Sequence, residues 1–170
     1  MLGNTYDHQQ CSIARALEVV GERWTLLVVR DALYGVQRFS DFAERLDIPR
    51  AVLSDRLRSL VEHDVLERVP DPDHRGRSLY RLTARGRELW PVVHALASWG
   101  SPLAGGDRGH RQFRHAACDA QLDANGRCPT CGAMPAAEDV LTTWHGAAPP
   151  DDDSVSAILR RPHRLTEPVG

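Results

Sequence analysis

The chain has 170 residues, a formal net charge of −2, and 42% hydrophobic and 26% charged residues, the balance of an ordinary globular protein. This length allows one domain with a substantial core plus a small annex. No apolar run approaches the ~20 residues that span a bilayer, and residues 1–10 lack the basic-then-apolar plan of a secretory signal. We therefore expect a cytoplasmic protein that does not bind membranes.

The stretch from residue 11 to residue 62 has the periodicity of four helices. The first helix ends at Gly21, and the second begins at Trp24 and is almost wholly apolar, so we expect it to be buried. Ser40 is the expected N-cap of the third helix, and Pro49 opens the fourth, because proline suits a first turn where an N–H would lack a partner. The short connection between these last two is typical of a helix-turn-helix.

After residue 64 the pattern changes from helical to alternating. Two short strands, 66–70 and 78–82, flank a turn-rich loop, which predicts a β-hairpin. Thr83 then caps one long final helix that runs to Trp99. The fold class is therefore mainly α with a small β-hairpin wing, a winged helix-turn-helix, which we place at residues 1–104.

The fourth helix and the tip of the hairpin form the expected DNA-binding surface. If its leucines face the core, the opposite face presents two guanidinium groups and a hydroxyl, which suit guanine edges and phosphates. The cationic hairpin tip has the size of a probe for an adjacent minor groove. Together with the start of the third helix, the candidates are Arg38, Ser40, Arg50, Ala51, Ser54, Asp55, Arg58, His74, Arg75 and Arg77.

Two other interpretations of this surface remain open. Arg50 and Arg58 are also placed to form solvated ion pairs with Asp47 and Glu62. Winged helices also serve as modules that dock proteins.

Several separated motifs follow one another in this part of the chain: Cys11-Ser12-Ile13, Gly21-Glu22-Arg23-Trp24-Thr25, Arg38-Phe39-Ser40-Asp41-Phe42, Leu53-Ser54-Asp55-Arg56-Leu57, Tyr80-Arg81-Leu82-Thr83-Ala84-Arg85-Gly86 and Trp99-Gly100. Over residues 9–100 they resemble the successive signatures of HxlR-type bacterial regulators. The resemblance implies a winged-helix homodimer in which the first and last helices pair across a two-fold axis. It also implies binding to two half-sites of double-stranded promoter DNA. The family includes repressors and activators, and we favour a repressor.

The strongest isolated chemical signal lies further on, where His115 and Cys118 precede Cys128 and Cys131. A Cys-Pro-x-Cys-Gly turn directs backbone amides towards both sulfurs, and two such corners separated by a short hairpin can close a tetrahedral zinc site. Four protein ligands leave no open position, so this Zn²⁺ would be structural. His110 is the substitute ligand if His115 points away, and free or disulfide-linked thiols are the alternative. We place a zinc-ribbon-like module at residues 105–146.

The remaining residues, 147–170, form the predicted tail. The segment 146–153 has the composition of a solvated linker. Beyond it, Ser154 begins a short helix capped by Asp153. We expect the tail to be partly disordered.

Cys11 is a candidate redox sensor. It lies at the start of the first helix, where the helix dipole favours a thiolate, and Arg15 follows one turn later. Its position matches the N-terminal cysteine with which several HxlR-type regulators sense oxidants or electrophiles. The alternative is a small residue that packs at the dimer seam.

A small-molecule effector is the other candidate signal. Aromatic residues that are candidates for lining its pocket, or for simply filling the core, are Tyr6, Trp24, Tyr80, Trp90 and Trp99. Since no catalytic constellation occurs at useful spacing, we do not expect an enzyme. The first hypothesis is a sequence-specific DNA-binding regulator that responds to a redox, electrophile or small-molecule signal. The alternative is a winged-helix and zinc-ribbon adaptor that binds protein.

Overall fold

The computed structural model describes residues 6, 9–104, 109–147 and 153–169. Its first part is a winged helix-turn-helix, which confirms the predicted fold class. Four helices precede the hairpin, and two follow it. The elements are α1 Ser12–Val20, α2 Thr25–Leu33, α3 Phe39–Leu46, α4 Arg50–Glu62, β1 Leu66–Pro70, β2 Ser78–Leu82, α5 Ala84–Arg87 and α6 Trp90–Gly100.

The start of α3 differs from the prediction. Ser40 is not the N-cap, because the helix begins at Phe39 and the extended residue before it is Arg38. Arg38 forms a β-bridge with Leu79 of the wing, so the chain leaves extended backbone at this residue. Ser40 lies within the first turn, where its hydroxyl donates a hydrogen bond to Asp41 Oδ1 at 2.8 Å.

The predicted single final helix is two helices. Thr83 caps α5 as expected, since its Oγ1 accepts the Gly86 N–H at 3.0 Å, but α5 ends at Arg87. Pro91 in the first turn of α6 has no N–H to continue the ladder. Gly86 also lies so close to the hairpin that an added Cβ would be 2.1 Å from the Val65 carbonyl oxygen. The break therefore lets α5 pack tightly on the wing while α6 turns away.

The second half is an antiparallel sheet in the order β4-β3-β5-β6. Its strands are β3 His110–His115, β4 Ala120–Gln121, β5 Val140–His145 and β6 His163–Arg164, with α7 Ser154–Leu159 before the last strand. Asp153 caps α7 as predicted, because its Oδ1 accepts the Ser156 N–H at 2.7 Å. Most of the predicted linker, residues 148–152, lies outside the described residues.

One apolar core connects the two halves. Phe113 of β3 packs edge-on against Trp90 of α6, with ring centroids 4.9 Å apart. Buried residues from the second half join this core: Phe113, Leu122, Cys128, Ala137, Val140, Val155, Leu159 and Leu165. The division at residues 104 and 146 stays a prediction, and the units on either side of it share their packing.

Residues 153–169 also pack on the helix-turn-helix. The Ser154 N–H and hydroxyl both donate to Glu44 Oε1 of α3, at 3.0 and 2.7 Å. Further on, the Thr166 N–H donates to the Leu33 carbonyl at 2.6 Å, and the Val169 N–H to Gly35 at 3.1 Å. Among the described residues, no helix has the length and apolarity needed to cross a bilayer.

Candidate DNA-binding surface and metal centre

Helix α4 buries its leucines and exposes the opposite face to solvent, as its periodicity predicts. Leu53, Leu57 and Leu60 are fully buried. The DNA-binding candidates on the helix are all exposed, namely Arg50, Ala51, Ser54, Asp55 and Arg58. A helix that is apolar on one side and exposed on the other can lie in a major groove without losing its packing.

A groove of about 460 Å³ separates the start of α3 and α4 from the wing. Four arginines line it, namely Arg38, Arg50, Arg68 and Arg77, together with Ser40. Arg68 was missed by the sequence analysis, because the alternation of the predicted strand places it on the same face as the apolar Leu66. The other candidates flank this groove, further along α4 and at the wing tip.

Arg38 holds the wing in place. Its Nε lies 3.3 Å from Asp71 Oδ2 and its second guanidinium nitrogen 3.4 Å from Asp73 Oδ2. Burial raises the pKa of Asp71, but the Asp73 N–H and Arg38 outweigh it and hold that pKa below its usual value. Asp71 therefore stays charged and anchors both Arg38 and the hairpin.

The predicted ion pairs of α4 are different in the structure. Arg58 pairs with Asp55, three residues earlier, and not with Glu62. Arg50 lies over the Phe39 ring, with its guanidinium carbon 5.7 Å from the ring centroid. Both guanidinium groups remain exposed.

The wing tip is cationic and open. His74, Arg75 and Arg77 are exposed around Gly76, whose φ of +82° favours glycine. Nothing lies within 4 Å of where a Cβ at Gly76 would be. The loop is closed by hydrogen bonds from the Asp71 N–H to Arg77 O and from the Arg77 N–H to His74 O, at 3.0 and 3.1 Å.

The predicted metal ligands come together. His115 ends β3, Cys118 lies in the next turn, and Cys128 and Cys131 begin and end the Cys-Pro-Thr-Cys turn. Their ligand atoms all lie within 4.8 Å of one another, and His115 Nδ1 is 3.4 Å from Cys131 Sγ. His110, the substitute, is at the other end of β3, beside His145.

The turns around the sulfurs are fixed by the backbone. The Gly132 N–H donates to Cys128 O at 2.9 Å, and Gly132 has the positive φ, +75°, that this turn requires. The Cys131 N–H lowers the pKa of Cys128 to about 6, whereas hydrogen bonding to Cys131 raises that of Cys118 to about 11. One nitrogen and three sulfurs gathered within 4.8 Å of one another can hold a metal ion.

Residues 19–106 match a family model described as HxlR-like helix-turn-helix. The chain belongs to this family. It is 44% identical over 122 residues to an uncharacterised HTH-type transcriptional regulator of Mycobacterium tuberculosis, covering 71% of this chain and 77% of the relative. This HxlR-like protein is a DNA-binding transcriptional regulator, and the relatives that it matches are named as HTH-type transcriptional regulators.

Two solved structures resemble this HxlR-like regulator. The candidate transcription factor PA1607 is 35% identical with a TM-score of 0.62, and the match covers 76% of this chain and 92% of that one. The redox regulator HypR in its oxidised form is 27% identical with a TM-score of 0.51, covering 54% and 96%. The likeness to PA1607 spans more of the chain than the family model does.

Cys11 of the HxlR-like regulator is exposed and immediately precedes α1. It lines a groove of about 670 Å³ together with Arg15 and Arg85. The aromatic residues proposed for an effector pocket do not come together. Trp90 is buried in the core, whereas Trp99 is 74% exposed.

Proposed function

We propose that this HxlR-like regulator is a homodimer that reads promoter DNA in a sequence-specific way through α4 and the wing. The observation that carries the proposal is the groove in which Arg38, Arg50, Arg68 and Arg77 meet. A chain with a net charge of −2 has concentrated positive charge where a duplex would lie, as a local DNA-binding surface requires. No comparable observation supports the protein-docking adaptor, and the sign of regulation stays a prediction.

The candidate residues divide into three roles. Arg50, at the start of α4, is the candidate for a guanine edge, flanked by Ala51, Ser54, Asp55 and Arg58. Ser40, His74, Arg75 and Arg77 are candidates for phosphates and the minor groove. Arg38 positions the wing through Asp71 and is a weaker candidate for direct contact.

Replacing Arg50 with alanine should lower the affinity for the operator about 5- to 150-fold, because a guanidinium fork on guanine is worth ~1–3 kcal/mol. Arg75→Ala should weaken specific and scrambled DNA alike, since a phosphate contact carries no sequence information. Fluorescence anisotropy with a fragment of the protein's own promoter region measures both. Arg161→Ala, an exposed arginine outside this surface, is the matched control. An Arg50→Ala protein that binds like the wild type would refute this role of α4.

We also propose that the metal centre holds one structural Zn²⁺. Three sulfurs and one imidazole nitrogen form the donor set that zinc prefers, and they leave no open position for catalysis. The ion would join the turn after β3 to the Cys-Pro-Thr-Cys turn.

Cys11 is proposed as the site of redox or electrophile sensing. Its thiol is exposed in a groove whose lining also includes Arg15 and Arg85. Treatment with a quinone should add one adduct at Cys11, seen by peptide mass spectrometry, and lower DNA affinity in the anisotropy assay. Cys11→Ser should keep its affinity under the same treatment. A Cys11→Ser protein that still loses it fully would show that the signal enters elsewhere.

The proposed dimer face consists of exposed apolar side chains on α1 and α6. Ile13 and Leu17 on α1 are 71% and 42% exposed, and Val92, Leu96 and Trp99 on α6 are 45%, 46% and 74% exposed. Exposed apolar side chains of this size on two helices are typical of an interface.

Two other apolar residues of α6 do not belong to this face. Trp90 and Val93 are buried in the chain's own core. They pack there because the sheet of the second half covers that side of α6.

A further inference from the structure

A groove of about 770 Å³ lies between α2, α6 and β3. Its volume is in the ~300–1,000 Å³ range of small-molecule sites. It has no lining residue in common with the groove beside the wing, the groove at Cys11 or the metal centre. Its walls come from both halves of the chain, and the residues that matter here are Arg30, His94, Ala97, Arg111, Phe113 and Leu122.

One end of this groove carries excess positive charge. Arg30, Arg45 and Arg111 lie around the carboxylate of the fully buried Asp31, and Arg45 also lies near the carboxylate of Asp153, the cap of α7. Its Oδ1 accepts the Arg30 Nε–H at 2.8 Å and lies 3.0 Å from Arg45 Nε. Three guanidinium groups near two carboxylates leave a surplus of one positive charge, which an anion would neutralise.

Arg111 is the guanidinium that Asp31 does not pair with. One of its nitrogens donates to the Leu159 carbonyl at 2.9 Å and to Thr142 Oγ1 at 3.1 Å. Its guanidinium carbon lies 4.3 Å from the centre of the Tyr34 ring. No acidic partner of Arg111 occurs among the described residues. Because both neutral contacts use the same nitrogen, the other N–H groups of the Arg111 guanidinium are available to a carboxylate.

The rest of the groove is apolar and aromatic. The Phe113 ring lies 5.5 Å from the ring of His94 and 6.3 Å from that of Tyr34, and Leu122 adds an aliphatic surface. Burial lowers the pKa of His94, which favours its neutral form. Asp123 is the acidic residue at the apolar end of the groove. Its Oδ1 already accepts the N–H groups of Asn125 and Arg127, at 2.8 and 2.9 Å. A flat apolar body therefore fits beside Phe113.

We propose that this groove binds an arylalkyl carboxylate, with the carboxylate on Arg111 and Arg30 and the ring on Phe113 and Leu122. Simple phosphate fits less well, because it would leave the aromatic wall uncovered. The site deepens the proposed function by supplying the regulator with an effector site. Because the groove joins α2 to β3, a bound acid would contact both halves of the chain.

Isothermal titration calorimetry of the metal-loaded full chain tests this proposal in the absence of DNA. A failure of the effector-site proposal is therefore distinguishable from a failure of the DNA-binding proposal. The probes are benzoate, phenylacetate and 3-phenylpropanoate, with 3-phenylpropanamide as the uncharged match. We expect saturable binding of at least one acid at one molecule per chain, and at least 10-fold weaker binding of 3-phenylpropanamide than of 3-phenylpropanoate. No saturable binding of any acid, or equal binding of the acid and amide, would overturn the proposal.

A substitution that fills the groove provides the second arm. Ala97 is exposed on α6 and lines the groove, so Ala97→Trp should weaken binding of the acid at least 10-fold. Ala157→Trp makes the same change at an exposed position of α7 outside the groove and should bind like the wild type. Equal affinity of the Ala97→Trp and wild-type proteins would place the acid elsewhere and refute the site.

Discussion

Replacing Cys128 with serine should abolish zinc binding and release residues 110–146 from their fold. Cys128 is the fully buried ligand of the four, and a structural zinc site supplies ~10–16 kcal/mol in small metal-folded units. The segment has few large apolar residues, so little else offsets its conformational entropy. Elemental analysis of protein purified without added metal should give one zinc per wild-type chain and none in the variant. Limited proteolysis should then cut first within this segment.

Two controls sharpen this test. Cys11→Ser makes the same chemical change outside the metal centre and should retain its zinc. His115→Ala should lose the metal, whereas His110→Ala should keep it, because only His115 lies with the sulfurs. A metal-free wild-type protein whose second half resists protease would contradict the zinc proposal.

Loss of zinc should also destabilise the winged helix. Phe113 and Leu122 belong to the same core as Trp90 and Val93 of α6. Releasing the sheet would expose that side of α6 to water, and truncating an aromatic contact of this kind costs ~3–5 kcal/mol. We therefore expect the free energy of unfolding of the whole chain to fall when a chelator removes the ion.

Leu96→Glu should convert a wild-type dimer into a monomer. Each Leu96 would lose ~1.5–3 kcal/mol of apolar burial, and a two-fold interface contains it twice, so the dissociation constant should rise about 10²- to 10⁴-fold. Sedimentation equilibrium measures this change. Ile158→Glu makes a matched change at a half-exposed apolar position of α7 and should leave the dimer intact. A wild-type protein that is monomeric at micromolar concentration would contradict the proposed face.

The helices and wing of the first half were predictable because their signals are local. Apolar spacing located α1 to α4, and the change to alternation located the hairpin. Of the two errors, only one has a tertiary cause that no local pattern contains. Ser40 lost its capping role because Arg38 bridges to the wing. The break in the long helix has a local signal, since Pro91 has no N–H to continue the ladder.

The second half was less predictable. Strands β4 and β6 have two residues each, too few for any period to emerge. The ligand set was accessible because a Cys-Pro-Thr-Cys-Gly turn defines its own geometry. The role proposed for Arg111 was not accessible from the sequence, since its neighbours Arg30 and Tyr34 lie about 80 residues earlier in the chain. Arginines that are brought together only by tertiary packing have no characteristic spacing in the sequence.

The docking of residues 153–169 on α2 and α3 has a kinetic consequence. Hydrogen bonds such as that from Thr166 to Leu33 span more than 130 residues, and closing loops of this length slows folding. During synthesis, the helix-turn-helix emerges long before the segment that covers it. We infer that during this interval the carbonyl groups of Leu33 and Gly35 lack the hydrogen bonds that Thr166 and Val169 later donate. The packing of the winged helix is then completed only after translation has passed residue 169.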